Sequence, residues 1–499
     1  MTSDAPVETT RLQQIGLFLG PALFGLTFLI AAPEPITTVG FERVGLLAFA
    51  VCWWIAGTLP IAVTTLAVLA CGVATGILSL TEAFANSGNW VLYFTIGAFG
   101  IGAALETTGV NRRVALAFLD QPWVRGRPYA FLSMFLLSGA MLHSVMANTV
   151  VAVVWLSLAM TILKMLKVEP GHSLAEATSM GIAWMANIGG ISTPVGTATN
   201  TVAIGMIATT MGVSVSFAQW TIVGSVLSVL MMASMLLVLR FVVKPDVEPF
   251  QREETVEFVR SERAKLGPMP PAEKRAVAWL LVAIGLWLVP DLSRFLISPE
   301  IAKLLSERLA LAVPALLVPI GMCLTPVPGS PGRRVLTWKE WAGGVEWGMV
   351  LFIGGVMALG AAVGAESTGL PAYMKLALEP HLGGLSEYAF VFVLSLTVIL
   401  VTSVISNLVT LAIFLPLGLT LSQSLGIGDP VALGMMLGIA PSLDFILPSG
   451  TTTNAIIIGS GYLRVGTMLR YGLFLIPIHT CLLTFVGYPL AKFVLALWR

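Results

Sequence analysis

The sequence predicts an all-α polytopic membrane protein of about 11 transmembrane helices plus two re-entrant hairpins, arranged as two inverted repeats. Three observations predict it. The 499 residues are 57% hydrophobic and only 11% charged, with a mean hydropathy of +0.91. Apolar stretches recur at about 15 to 28 residues, which suits roughly 30 Å of hydrocarbon at about 1.5 Å of helix rise per residue. Two polar interruptions, Met146-Ala147-Asn148-Thr149 and Ile405-Ser406-Asn407-Leu408, stand inside long apolar stretches. A polar turn at membrane depth is costly unless it lines a cavity, so the pair marks a binding site.

The elements follow in chain order. Residues 1–43 hold a polar tail and a first span at 15–32, which exceeds a signal-peptide core and lacks a convincing cleavage site. Further spans are expected at 44–58, 60–79, 91–110, 216–243, 275–291, 309–325, 346–365 and 471–496. Residues 128–166 and 387–423 are too long for one helix, and their polar centres suit a hairpin with an Asn at its tip. Residues 177–213 and 430–463 read as spans broken by Gly190-Ile191-Ser192-Thr193-Pro194-Val195-Gly196-Thr197-Ala198-Thr199-Asn200 and by Leu447-Pro448-Ser449-Gly450-Thr451-Thr452-Thr453-Asn454. Gly and Pro end a helix there, and the freed backbone groups can face a ligand.

The two halves repeat. Trp90 to Gly97 resembles Trp347 to Gly354, Glu106-Thr107-Thr108-Gly109 echoes Glu366-Ser367-Thr368-Gly369, and Gly196-Thr197-Ala198-Thr199-Asn200 aligns with Gly450-Thr451-Thr452-Thr453-Asn454. These landmarks divide the chain into repeat 1 at 44–243, a charged linker at 244–274 and repeat 2 at 275–499. Placing Arg112, Arg113, Arg125, Arg127, the linker, Arg333, Arg334, Arg464 and Arg470 inside satisfies the positive-inside rule. The N-terminus is then cytoplasmic, the C-terminus outside, and the hairpins enter from opposite faces.

Other classes find no support. The formal net charge is +1 with no long basic block, so nothing points to nucleic acid. Walker, His-Glu-x-x-His, nucleophile-elbow and Cys-x-x-Cys motifs are absent, so the chain is not expected to be an enzyme or to hold an organic cofactor. Cys52, Cys71, Cys323 and Cys481 read as small core residues. Glu106 and Glu366 read as helix ends, and His172, His381 and His479 as structural or solvated.

The Asn-bearing tips, the Gly-Thr-x-x-Asn breaks and the Glu-x-Thr-Gly pair resemble those of the divalent anion/sodium symporter family, the transporters of dicarboxylates, citrate and sulfate. The resemblance covers essentially the whole chain. It implies an elevator-type homodimer with scaffold and transport domains, importing a small divalent or organic anion coupled to sodium and possibly protons, in a bacterial inner membrane. By that likeness Asn148, Thr149, Thr197, Ser406, Asn407, Thr451 and Thr452 bind substrate. A first sodium site takes Ser144, Asn148 and Gly196, and a second takes Thr402, Ile405, Asn407 and Gly450. The chemistry is reasonable in itself. Asn amides, Thr hydroxyls and helix N-terminal N–H groups donate to anion oxygens without a fixed buried cation, and sodium prefers hard oxygen ligands.

Three residues depart from the family pattern. The tips read Ser-Asn-Thr in the family, but here Ala147 replaces the Ser and Leu408 replaces the Thr. One end of a symmetric dicarboxylate loses a hydroxyl donor, so a smaller, asymmetric or partly apolar anion fits as well. His143 stands where the family supplies a hydroxyl to the first sodium site. Either it replaces sodium's charge or carries a coupled proton, or Ser144 takes over and His143 bonds a neighbouring carbonyl. Asp444 is an intramembrane carboxylate and a candidate coupling group, or else a cap for backbone N–H groups near Thr451. Two other functions stay open: a cation-independent anion exchanger, and a cation/proton antiporter using Asp444.

Overall fold

The computed structural model describes residues 10–146 and 148–498, with side chains except at residues 148–150. Among the described residues the only β pairing is an isolated bridge between Pro326 and Arg334. The main helices in order are α1 (Arg11–Leu26), α2 (Thr38–Ala56), α3 (Ile61–Ala74), α4 (Trp90–Thr108), α5 (Val110–Leu119), α6 (Pro128–His143) and α7 (Asn148–Met165). Then come α8 (Ser173–Gly190), α9 (Ala198–Met211), α10 (Phe217–Val238), α11 (Glu253–Leu266), α12 (Pro271–Leu296), α13 (Pro299–Arg308) and α14 (Ala312–Leu324). The rest are α15 (Trp347–Gly364), α16 (Leu370–Leu382), α17 (Glu387–Thr402), α18 (Asn407–Leu425), α19 (Pro430–Ile439), α20 (Thr452–Gly459), α21 (Val465–Leu482) and α22 (Tyr488–Leu497).

Among the described residues, seven helices are long and apolar enough to cross a membrane, or up to nine when two sharply bent pairs each count as one span. The pairs are α13 with α14, bent by 59°, and α16 with α17, bent by 109°. The expected count of about 11 also includes spans interrupted at their centres and short helices such as α3, which fail a test of unbroken length.

Two compact units emerge, each taking residues from both ends of the sequence. The first comprises Met1–Leu92, Glu346–Ser386 and Ala412–Pro430; the second comprises Tyr93–Val345, Glu387–Leu411 and Val431–Arg499. In the first unit an aromatic seam joins α1 to α2, with Phe49 stacked on Phe24 at 6.2 Å and edge-on to Trp53 at 4.7 Å. Trp54 meets Phe352 of α15 edge-on at 5.1 Å. Arg43 donates to the Ala362 carbonyl at 3.1 Å and to Glu82 at 2.8 Å, which places a charge inside this unit with both partners supplied.

The second unit is organised around α8 and α19. Every residue of α8 from Leu174 to Gly190 is buried, as is every residue of α19 from Val431 to Ile439. A helix buried on all sides must be apolar or small on all sides, which explains the Ala, Gly and Met content of both. Each helix ends at a polar break, and tryptophans close the exposed carbonyls. Trp184 Nε1 donates to Phe445 O at 3.0 Å and Trp220 Nε1 to Ile191 O at 3.2 Å. His479, read from sequence as a structural group near a span end, is fully buried in α21, where it bonds Ser234 at 2.9 Å and meets the Phe445 ring edge-on. The cysteine reading needs correction: Cys481 is exposed and the other three are half-buried, because each sits on a flank of its helix.

The charged linker also belongs to the second unit. Within it α11 lies against α5 through ion pairs of Arg112 with Glu262 and of Arg263 with Asp120, the latter at 2.7 Å. Arg113 pairs with Glu273 and donates to Gly267 O at 2.9 Å, capping the end of α11.

Candidate functional site

The site is assembled from two hairpin turns and two helix breaks, all in the second unit. The first turn, beginning at Ser144, joins α6 to α7. His143 is fully buried at the end of α6, and the Ser144 hydroxyl donates back to Met141 O at 2.6 Å. The first break, between α8 and α9, comes up against this turn. Thr193 Oγ1 donates to Ser144 O, and Gly196 packs so closely that a β-carbon there would lie 2.3 Å from Gly190 O and 2.8 Å from His143 O. Only glycine allows that approach.

The second turn joins α17 to α18 and meets the second break in the same way. A β-carbon on Gly450 would lie 2.4 Å from Thr402 O, and Gly450 O accepts from Asn407 N at 3.3 Å. Thr402 Oγ1 is 2.8 Å from both Asn407 Oδ1 and Pro441 O. Ser449 Oγ reaches Ser403 O at 3.5 Å. Gly196 and Gly450 thus press against the last helical residue of their own hairpins, His143 and Thr402, at matching places in the two repeats.

Most sequence-predicted site residues are brought together. Ser144 and Gly196 meet at the first turn, while Thr402, Asn407 and Gly450 meet at the second. Ile405 and Ser406 are half-buried in the second turn, where Ile405 N bonds Val401 O at 3.0 Å and Ser406 O accepts the Thr410 hydroxyl at 3.1 Å. Thr451 N-caps α20 by accepting from Asn454 N at 3.1 Å, and Thr452 is exposed on its first turn. Thr197 occupies the N-cap of α9 without a side-chain cap bond, its hydroxyl 3.3 Å from that of Thr199. Asn148 and Thr149 open α7, and their side chains, like all of Ala147, lie outside the described residues.

Several residues the sequence did not single out join the two breaks. Thr199 Oγ1 and Ser442 Oγ are 2.9 Å apart, and Asn187 Nδ2 donates to Asp444 O at 2.5 Å. Asn200 Nδ2 donates to Gly190 O and Thr193 O at 2.9 and 2.7 Å, and Asn454 Nδ2 to Leu447 O and Asp444 Oδ2 at 3.1 and 2.8 Å. The shared final Asn of the two repeated motifs was the available signal. Asp444 is fully buried beside the second break, and its Oδ1 is 3.5 Å from Ile446 N. It caps no helix end.

Two interrupted helices, joined through Thr199–Ser442 and Asn187–Asp444 and each held against a hairpin turn, gather hydroxyls, amides and helix N-termini. Such a set of groups suits an anion and small hard cations. A family model described as the sodium:sulfate symporter transmembrane region matches residues 12–497. The chain belongs to the sodium:sulfate symporter family. This makes it a membrane transporter and not an enzyme. Among curated relatives, the sodium-dependent dicarboxylate transporter SdcS of Staphylococcus saprophyticus is 26% identical over 97% of this chain and 92% of its own length. SdcS of Staphylococcus aureus is 27% identical with the same coverage. Among solved structures, Neisseria gonorrhoeae MtrF, titled an antimetabolite efflux pump, aligns with a TM-score of 0.53 at 14% identity, covering 96% of each chain. The Alcanivorax borkumensis YdaH transporter aligns at 0.51 and 14% identity, covering 95% of this chain and 98% of its own. These two likenesses speak to the fold alone.

Proposed function

We propose that this symporter-family member imports a small divalent or organic anion, dicarboxylate-, sulfonate- or sulfate-like, coupled to sodium. The observation that carries the reading is the paired contact of each break with its own hairpin, Gly196 on His143 and Gly450 on Thr402. The family and the names of the curated relatives support sodium as the coupling ion and a dicarboxylate as one substrate to test. In this reading the substrate sits between Asn148, Thr149 and Thr197 of repeat 1 and Ser406, Asn407, Thr451 and Thr452 of repeat 2. Leu408 leaves the second tip without a hydroxyl, which favours an anion with one strongly charged end. Sodium is bound by Thr402, Asn407 and the carbonyls of Ile405 and Gly450, and the first cation site, around Ser144, Asn148 and Gly196, is altered by His143.

The same reading takes the hairpins as re-entrant, the repeats as inverted, the spans as about 11 and the transport step as an elevator movement within a homodimer. It puts the N-terminus and the charged linker in the cytoplasm. The test is uptake of labelled succinate, sulfate and short sulfonates into proteoliposomes under sodium, proton and null gradients. Uptake of one of these anions driven by inward sodium is expected. Equal exchange in the absence of any cation gradient would replace the reading with an anion exchanger.

A further inference from the structure

We propose that Asp444 supplies a fixed negative charge to a cation site at the second break, completed by Thr402, Asn407 and the backbone at Gly450. The inference rests on the sodium-coupled reading and adds to it a ligand, a charge and an order of binding.

The carboxylate is fully buried, and among the described residues no Lys, Arg or His forms an ion pair with it. Its partners are neutral: the Asn454 amide at 2.8 Å from Oδ2, the Ile446 N–H at 3.5 Å from Oδ1, at the limit of a hydrogen bond, and the Leu447 N–H. An ionised carboxylate accepts at about four positions, and three neutral donors, none of them charged, leave its net charge uncompensated. A bound cation supplies what the side chains do not.

The neighbouring oxygens converge on the same place. Asp444 Oδ2 and Thr402 O both press on Gly450, where a β-carbon would lie only 2.3 and 2.4 Å from them, so the two oxygens stand within reach of one small cation. The Thr402 hydroxyl is 2.8 Å from both Asn407 Oδ1 and Pro441 O, and it has one proton to give. Carboxylate, carbonyl, hydroxyl and amide oxygens gathered at a helix break form a hard-ligand set that suits a monovalent alkali cation. Asn454 fixes the carboxylate from the other side. Its Nδ2 faces Asp444 Oδ2, Asp444 O and Leu447 O, so its own oxygen points away, buried and without a hydrogen-bond partner among the described residues.

Repeat 1 lacks the device. Gly190 holds the place that Asp444 holds in repeat 2, and only its backbone carbonyl faces Gly196. The fixed charge is therefore confined to one of two otherwise matched sites. A cation bound there is neutralised by the protein and does not need the anion, so it binds first and alone. A cation neutralised by substrate would instead bind only together with it.

The experiment measures radioactive sodium binding to the purified full-length protein without any anion. Wild type is compared with Asp444→Asn, which keeps the shape and can still accept from Asn454, and with Asp444→Glu, which keeps the charge. Sodium binding by wild type is expected, with an affinity at least tenfold weaker in Asp444→Asn and partly restored in Asp444→Glu. Sodium affinity in Asp444→Asn within threefold of wild type overturns the proposal while leaving sodium coupling intact. No sodium binding by wild type without anion also overturns the proposal, while uptake that is indifferent to sodium overturns the sodium-coupled reading with it. If Asp444→Asn is not recovered folded, the wild-type carboxyl is probed with dicyclohexylcarbodiimide. Protection by sodium but not by choline supports the site, and modification unaffected by sodium overturns it.

Discussion

Asn200 and Asn454 each turn their side-chain amide back onto the carbonyls ten and seven residues earlier, so one device closes both breaks. Asn200 reaches Gly190 O and Thr193 O at 2.9 and 2.7 Å, and Asn454 reaches Asp444 O and Leu447 O at 3.4 and 3.1 Å. A broken helix leaves carbonyls unpaired, and at membrane depth water does not replace the lost bonds.

Replacing either Asn by Ala is therefore expected to destabilise the protein by about 1–3 kcal/mol, the usual penalty for an unsatisfied buried polar group. Uptake falls with it, because the break positions Thr197 or Thr451. Thermal unfolding in detergent, read alongside uptake, checks this; a variant with wild-type melting and transport would show that the amides are dispensable.

His143 stands in the first hairpin where Thr402 stands in the second, and both are fully buried. His143→Ser restores a hydroxyl at that position and is expected to make sodium activation of uptake steeper, with a higher Hill coefficient than wild type. An unchanged sodium curve, with wild-type expression, would mean that His143 does not occupy the place of a sodium ligand.

Leu408 is half-buried at the second tip. Leu408→Thr adds one donor to a charged group, about 1.5–3 kcal/mol, or about ten- to a hundredfold in affinity. The gain should fall on a symmetric dicarboxylate and not on a monocarboxylate of equal length. Competition assays with the two ligands distinguish this outcome from a general tightening of the site.

The contact of α11 with α5 should be sensitive to acid and salt. The Lys265 ammonium holds the Glu262 carboxyl below its ordinary value, against the opposing effect of burial and with help from Arg112. Burial opposes ionisation of Asp120 too, but Arg263 and Arg125 outweigh it, and its pKa is also lowered. Carboxylates with lowered pKa values stabilise the folded form above their unfolded value, near 4, and that stability is lost as pH falls through the lower folded value. Hydrogen exchange of α11, corrected for intrinsic rate, should hold from neutral pH to about pH 5 and rise below about pH 4. Glu262→Gln should raise it at neutral pH, by no more than about 1 kcal/mol for each partly exposed pair lost, and less in high salt.

Much of this was legible because hydrophobic length and polar interruption are local properties of the chain. The spacing of Asn148 and Asn407 within apolar runs located both hairpin turns. The Gly-Thr motifs at Gly196 and Gly450 lie two residues before α9 and α20 begin, but the second break opens earlier than expected, because α19 ends at Ile439 and not beside Leu447. His479 was left as structural or solvated because its partner, Ser234, lies 245 positions away and shares no motif with it. Asn187 and Ser442 were missed for the same reason, and Thr199, though part of the repeated motif, was given no partner until the two breaks were brought together.

The sequence by itself determined that this is a helical membrane protein with two matched polar interruptions, since a bilayer admits few backbone solutions and each leaves a pattern of length and composition. Tertiary structure decided what those interruptions touch. It set Gly450 between the Asp444 carboxylate and the Thr402 carbonyl, and Gly196 between two carbonyls with no carboxylate at all. The carboxylate is written locally, as Asp444 in the place of Gly190, but its meeting with Thr402, like that of Gly196 with His143, joins segments about 50 residues apart, which no local pattern encodes.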